Sequence, residues 1–314
     1  MKKIFLLTMI FLLTVMQVWS QEFMRGWISY NITSVENRTV EIIKVPRDLT
    51  GILTVPETVN YNDIDYTVTA ITGSSALLYS ENFTEIELPA SLETITDGVF
   101  QGCKNLIAFH VHENNQYFST VDGVLFDKKK EKLVSYAKAK ESNSYTVPNG
   151  VTVIGKHAFQ NSNTLTEIIL PATVNAIGTC AFYFCDNLTN ITYYNPEPPM
   201  VVDGPIHLGA ANIEIRVPIG SKEKFIAVGF RGFKSITEFD ASSIPITNAT
   251  VVNVYPSADG IIIAGLQIGE TISIYTVTGQ MLYQLVATNN EETIVLPKGI
   301  YIVNVGKSIF KIKN

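Results

Sequence analysis

Apolar and polar positions in the middle of the chain recur with a fixed spacing. Apolar strings that end in proline occur at Ile86-Glu87-Leu88-Pro89, Tyr145-Thr146-Val147-Pro148 and Ile168-Ile169-Leu170-Pro171. The last two prolines lie 23 residues apart. Apolar residues follow all three prolines at the same distances along the chain. Such self-similarity predicts a repeat architecture, because a single copy cannot bury its own apolar face and needs its neighbours.

Each copy predicts one strand followed by a turn. The alternation before the proline is typical of a strand, and proline ends the strand because it has no N–H to donate. Small residues and phenylalanines follow at constant offsets and are expected to fill the next layer of the core. These predicted structural positions are Phe100, Cys103, Phe159, Phe182 and Cys185.

Degenerate copies extend the repeat in both directions. They end at Val55-Pro56 and Val217-Pro218, and the extra length before Pro148 contains Asp122-Gly123 between apolar stretches, which predicts an inserted hairpin at about 110–145. We expect a mainly β fold: a solenoid of about five repeats, with parallel strands and short helical turns, over residues 51–240. An N-terminal strand or hairpin cap is expected over 21–50.

The carboxyl-terminal segment has a different rhythm. Small and polar residues at 241–252 predict a linker. Short apolar runs separated by Gly, Asn and Lys follow over 253–314 and predict a small β-sandwich.

The amino terminus is typical of a signal peptide. Two lysines precede an apolar run at 4–18, and cleavage is expected before Gln21. A run of about fifteen residues is short for a membrane span, which needs roughly twenty. We therefore expect an exported protein, extracellular or on the outer-membrane surface, with no transmembrane segment in the mature chain.

Composition and chemistry argue against two classes of function. The net charge of −6, which becomes −8 without residues 1–20, argues against a nucleic-acid partner. Hydrolase motifs are absent from the sequence, and His110 and His112 lack a third ligand at a telling distance, so we predict no enzyme, cofactor or metal. Three cysteines are no disulfide framework, and the sequence leaves open whether Cys180 pairs with Cys185.

The outward row of the predicted strands is acidic and rich in hydroxyl groups. Extended surfaces of this kind serve recognition in repeat proteins, and this one would suit a polar or basic partner. The alternative is a plain solvated sheet face. The candidate binding residues are Glu85, Glu87, Thr146, Glu167, Thr192, Glu214 and Arg216.

The repeated pattern resembles the BspA-type leucine-rich repeat of bacterial surface proteins, over roughly residues 25–240. The resemblance implies a curved solenoid with an extracellular binding or adhesive role and no catalytic residues. Its partner would be a host or microbial surface protein or a matrix component. The alternative is a scaffolding component of the cell envelope without a soluble ligand.

The carboxyl-terminal segment resembles a type A sorting domain of the type IX secretion system. That resemblance implies the secretion machinery of a Bacteroidota-like cell as a partner. The family usually opens with Tyr-Pro-Asn-Pro, whereas this chain has Ser257-Ala258 in place of the Asn-Pro pair. The alternative is an accessory β-sandwich whose lysines keep an edge strand soluble. The motif residues are Tyr255, Pro256, Gly279, Gly299, Tyr301, Lys311 and Lys313.

Overall fold

A computed structural model describes most of the chain after residue 20. It covers residues 21–73, 76–77, 80–202, 212–230, 233–241, 253–257, 259–266, 270–289, 291–305 and 308–314. The expected signal peptide at 1–20 and linker residues 242–252 lie outside the described residues.

The described chain is a mainly β solenoid of about seven turns, followed by a small β-sandwich. The first part of the solenoid contains nine strands: β1 (Glu22–Arg25), β2 (Ile28–Ser34), β3 (Thr39–Lys44), β4 (Gly51–Thr54), β5 (Thr58–Tyr61), β6 (Ile64–Ile71), β7 (Phe83–Leu88), β8 (Thr94–Ile95) and β9 (Ala108–Val111). Strands β1, β2, β3, β6 and β5 pair in that order and form the amino-terminal cap.

The second part contains the insertion, the later repeats and one short helix. Its elements are β10 (Phe118–Val121), β11 (Val124–Asp127), β12 (Lys132–Ser135), β13 (Ser144–Thr146), β14 (Val153–Ile154), β15 (Glu167–Leu170), β16 (Ala176–Gly178), β17 (Asn190–Tyr193), β18 (Met200–Val202), β19 (Glu214–Pro218), α1 (Lys222–Ala227) and β20 (Ser235–Phe239).

Two strands from each repeat build two faces of the solenoid. The strand before the proline position joins a parallel sheet, β4-β7-β9 in the first part and β13-β15-β17-β19-β20 in the second. A shorter strand after it joins the opposite sheet, where β12, β14, β16 and β18 also run parallel. Ile86 and Leu88 point inward and are buried, as the alternation predicts.

The solenoid has about seven turns where the sequence predicted about five repeats. The sequence repeats were counted by the proline that follows each strand. Three strands lack this proline: β9 ends at Val111, β17 at Tyr193 and β20 at Phe239. These three strands are paired with strands of neighbouring repeats although no proline ends them.

The insertion begins as an antiparallel hairpin of β10 and β11. Its turn residues Asp122 and Gly123 both have positive φ, 49° and 72°, which matches the twist of a two-residue hairpin turn. Strand β12 pairs antiparallel with β11 and parallel with β14, so the insertion returns the chain to the second face of the solenoid.

Consecutive turns touch through backbone atoms. A Cβ added to Gly178 would lie 2.4 Å from Lys156 N, and one added to Gly155 would lie 2.8 Å from Leu133 O. Such distances leave no room for any side chain. Glycine at these positions therefore lets one turn rest directly on the one before it.

Hydroxyl groups link each turn to its predecessor. Thr189 Oγ1 donates to Thr166 O at 3.2 Å, and Thr166 Oγ1 donates to Asn143 O at 2.9 Å. Thr173 and Ser91 make equivalent bonds to Val151 O and Val68 O, both at 2.8 Å. Thr166 O and Asn143 O also accept backbone N–H groups from the next turn, so the hydroxyl bonds reinforce the contact between turns.

The carboxyl-terminal strands enclose a core of their own. They are β21 (Asn253–Pro256), β22 (Gly260–Ala264), β23 (Thr271–Thr276), β24 (Met281–Val286), β25 (Glu291–Val295), β26 (Ile300–Val305) and β27 (Ser308–Lys313). The sheets β21-β22-β25 and β24-β23-β26-β27 contribute side chains such as Ile261, Ile274 and Val303 to one apolar cluster. Within the described chain, no helix has the length and apolar character needed to cross a membrane.

Candidate binding face

The outward side chains of β4, β7 and β9, and of β13, β15, β17, β19 and β20, form what is called here the outer face. Pairing places these side chains in straight rows across the strands. In the second sheet one row runs Ser144, Glu167, Asn190, Glu214 and Ser235. Neighbouring parallel strands lie about 4.8 Å apart, so the row has a fixed spacing.

The acidic residues of the first sheet bind neighbours on adjacent strands. Glu85 Oε2 lies 2.6 Å from His110 Nε2, and Glu87 Oε2 accepts a hydrogen bond of 2.8 Å from Thr54 Oγ1. Both partners come from other repeats, 25 and 33 residues away. Glu87 stays exposed, so its second carboxylate oxygen faces solvent.

The second sheet holds its charges differently. The Glu214 carboxylate accepts hydrogen bonds from Thr237 at 2.9 Å and Ser235 at 3.2 Å. The Arg216 guanidinium lies 5.5 Å from the centre of the Phe239 ring, which fixes its position by a cation–π contact. The Glu167 side chain, half-buried, makes no hydrogen bond or ion pair with another described residue.

Thr192 does not belong to the exposed row that the sequence predicted. It is buried, with 4% of its surface exposed. In register it lies between Ile169 and Arg216, whose longer side chains flank its short one. Thr146, at the start of the same row, is half-buried.

The two histidines serve different neighbours. His110 contacts Glu85, whereas His112 Nδ1 accepts a hydrogen bond from Asn114 N at 3.2 Å. Over the described ranges, no three His, Cys, Asp or Glu side chains are grouped as metal ligands would be.

All three cysteines are free, so Cys180 and Cys185 form no disulfide. Burial raises the pKa of the Cys103 thiol to about 12 and that of Cys185 to about 11, which disfavours the reactive thiolate. Cys185 Sγ donates to Phe159 O at 3.0 Å, while Ser162, at the equivalent repeat position, has a buried hydroxyl without a described partner. Phe100, Phe159 and Phe182 are buried in the same layer.

Lys138 is a buried charge that the repeat pattern did not reveal. Only 2% of it is exposed, and its Nζ donates to Ala158 O at 3.0 Å. Burial lowers the pKa of Lys138 to about 8, and the Cys185 and Cys103 thiols partly oppose that shift. Lys138 falls within the insertion, where no repeat offset applies, so only its apolar neighbours Tyr136 and Ala137 hinted at burial.

The motif residues of the carboxyl-terminal unit occupy its turns and one edge. Gly279 has a positive φ of 86°, and a Cβ on Gly299 would lie 3.0 Å from the hydroxyl of Tyr301. That hydroxyl donates to Pro297 O at 2.6 Å. Lys311 and Lys313 are exposed on β27, a strand at the end of its sheet.

Two motif residues lie at the start of this unit. Pro256 ends β21 and is exposed. Tyr255 lies in β21, and its side chain is outside what the structure describes.

Part of the repeat region matches one known family. The family model described as BspA type leucine rich repeat region matches residues 57–126 and 133–197, in six copies. None of the curated proteins matches the chain.

Several solved structures are similar to this chain. A leucine-rich repeat protein from Eubacterium ventriosum is 18% identical, covering 68% of this chain and 83% of its own, with a TM-score of 0.37. The T. pallidum leucine rich repeat protein is 15% identical, covering 69% and 100%, with a TM-score of 0.39. A leucine rich cell surface protein from Faecalibacterium prausnitzii is 16% identical, covering 72% and 96%, with a TM-score of 0.33.

The buried amine predicts a pH-dependent stability. Between about pH 8 and pH 10.5 the unfolded chain keeps a proton on Lys138 that the folded chain has lost, so stability rises with pH through this window. Relative to Lys138→Met, the wild-type free energy of unfolding should gain up to about 3 kcal/mol between roughly pH 7 and pH 11. Urea unfolding of both proteins across this range measures the gain.

A lysine on the surface of α1 provides the control for that comparison. Lys222 is exposed, so the difference between wild type and Lys222→Met should not follow the Lys138 curve. Tyrosine and cysteine titrations are common to all three proteins and cancel in the differences. If the difference in free energy of unfolding between wild type and Lys138→Met stayed constant across the range, the pKa of Lys138 would not be lowered by burial.

Proposed function

We propose that this chain is an exported surface protein that binds other macromolecules without catalysis, because residues 57–126 and 133–197 match the BspA type leucine rich repeat region. Leucine-rich repeat proteins are generally non-catalytic, which supports a recognition role. Its partner is a host or microbial surface protein, or a matrix component, that presents basic or polar groups.

The observation that carries this proposal is the straight row of polar groups on the outer face. Glu167 and Glu214 occupy one row with Asn190 between them. Their strands are therefore separated by roughly 10 Å on a rigid sheet. A basic segment that lies across the strands could contact both carboxylates without reorganising the protein, which lowers the entropic cost of binding.

Partnered carboxylates remain available to a ligand. Glu87 and Glu214 accept hydrogen bonds from hydroxyl groups, which position the carboxylates without neutralising their charge. This arrangement favours recognition over the alternative of an envelope scaffold, which needs no aligned charge.

Charge reversal on the outer face should abolish binding. The variant Glu87→Lys, Glu167→Lys and Glu214→Lys replaces three anions in this face with cations, so saturable binding to a basic partner should weaken by at least about tenfold. Binding of purified residues 21–314 to a panel of matrix proteins, host cells and bacterial cells measures the effect.

A second triple variant controls for total charge. Glu36, Glu113 and Glu141 are exposed acids outside the outer face, and their reversal to lysine should leave binding intact. Equal losses in the two variants would argue for a general charge effect. Saturable binding that survives in the outer-face variant would move the site elsewhere, and no binding to any surface would favour the scaffold.

For the carboxyl-terminal unit we propose recognition by the type IX secretion machinery. The order of its motif residues supports the proposal. Their positions in turns and on the edge strand β27 support it as well. Lys311 and Lys313 place two exposed cations close to the end of that strand. Outer-membrane passage would then bring the repeats to the cell surface.

Fusion of a reporter tests this recognition directly. Residues 240–314, joined to a reporter exported to the periplasm, should carry it to the surface of a host that has the secretion system. The same fusion in a host from which that system has been deleted should stay in the periplasm. A reporter that remains periplasmic in both hosts leaves the unit as an accessory sandwich.

A further inference from the structure

An open groove lies at the amino-terminal end of the solenoid, beside β4, the first strand of the outer face. Its volume is about 580 Å³, within the range of roughly 300–1,000 Å³ that is usual for ligand sites. The turn between β1 and β2 forms one wall and β4 forms another. Apolar side chains line most of it, among them Trp27, Leu49 and Pro56.

The strand beside this groove has a free edge. Strand β4 is the first strand of its sheet, paired only with β7 among the described strands. Val55 N donates to Glu87 O at 3.0 Å, so the odd-numbered residues of β4 direct their polar groups toward β7. In a parallel ladder the alternate residues, Ile52 and Thr54, then direct their N–H and C=O groups away from β7.

Exposed apolar side chains flank that edge. Trp27 is 77% exposed and Ile52 is 51% exposed, both unusual for side chains of this size. Such anchors contribute most of the binding energy in protein interfaces. Peptide strands that add to a free sheet edge combine main-chain hydrogen bonds with side chains that enter apolar pockets.

The charge of the groove specifies the kind of peptide. Arg25 is the one charged residue among the described residues that line it, and it forms no ion pair with any described residue. A guanidinium in this position favours a carboxylate. The rest of the chain carries net negative charge and would repel an acidic peptide, so Arg25 sets both its place and its register.

We propose that this groove binds an extended, acidic peptide segment of another protein, which adds as a strand to the free edge of β4. Apolar side chains of the peptide pack against Trp27 and Ile52, and one of its carboxylates binds Arg25. This second binding site uses the free edge of β4 and Arg25, whereas the row that carries the proposed function lies on the second sheet with Glu167 and Glu214, so either can fail without the other.

Residues 21–314 supply a built-in probe of the groove. They include all described residues, and Trp27 is their only tryptophan. Selection of a phage-displayed library of random decapeptides on this protein should enrich peptides that alternate β-branched or aromatic residues with Asp or Glu. The enriched peptides, made synthetically, should shift Trp27 emission to shorter wavelength as the indole leaves water.

Two sets of variants test the contacts separately. Ile52→Pro removes an outward N–H at an edge position that tolerates proline, and should weaken peptide binding by about tenfold or more, whereas Ile52→Val should not. Arg25→Glu should weaken binding by about tenfold and Arg25→Lys should retain most of it, whereas the double variant Glu167→Lys and Glu214→Lys, on the second sheet, should bind peptide normally. N-methylation of alternate amides in the peptide should abolish binding even if Ile52→Pro does not fold.

Several outcomes would overturn the proposal. They are a library that yields no enriched peptide, enriched peptides that are basic, and binding that withstands both N-methylation and Ile52→Pro. Sedimentation provides the last check: a dimer of residues 21–314 that Trp27→Ala dissociates would assign the groove to a second copy of the chain.

Discussion

Direct contact between the backbones of consecutive turns is the constraint on which the solenoid depends. Gly178 rests on the Lys156 peptide so closely that a single methyl group would collide with it. The approach requires each turn to repeat the path of the one before. It allows only glycine at Gly155 and Gly178, whereas the equivalent position after Pro89 holds Thr96. Hydroxyl bonds such as Thr189 to Thr166 O complete the same contact at the corners.

The same constraint explains the backbone conformation of the turns. Gly98, His157 and Cys180 share one repeat position, nine residues after the proline, and all have positive φ. Glycine adopts this conformation without strain, whereas His157 and Cys180 adopt it at a cost that stacking must offset. Cys180 therefore occupies a turn position of the repeat, and both it and Cys185 are free thiols.

The insertion interrupts the stack of repeats and is held between two turns by hydrogen bonds. Residues of the insertion bridge two turns, with Ala139 N donating to Leu106 O and Tyr136 N donating to Ala158 O. Lys138 adds a charged donor to Ala158 O at the same junction. A buried ammonium is costly, and the hydrogen bonds to carbonyls that it makes here hold it in place.

Sequence periodicity predicted the core well and the outer face less well. Phe100, Phe159 and Phe182 are buried where the offsets placed them, because apolar packing follows the local alternation. Thr192 is buried against expectation because its exposure depends on the lengths of Ile169 and Arg216 in neighbouring strands. The contact of Glu85 with His110 and the donation by Lys138 join distant segments, whose relative position no local pattern encodes.

Deletion of one whole period tests the stacking account most directly. Removal of residues 149–171 takes out 23 residues and replaces each stacked position by its equivalent from the next repeat, such as Phe182 for Phe159. Urea unfolding should show one cooperative transition with somewhat reduced stability, because the chain loses one repeat interface. A deletion of roughly 20 residues from the same point breaks the period and should abolish that transition. If the two deletions were equally stable, the turns would not be in obligatory register, and the account would be wrong.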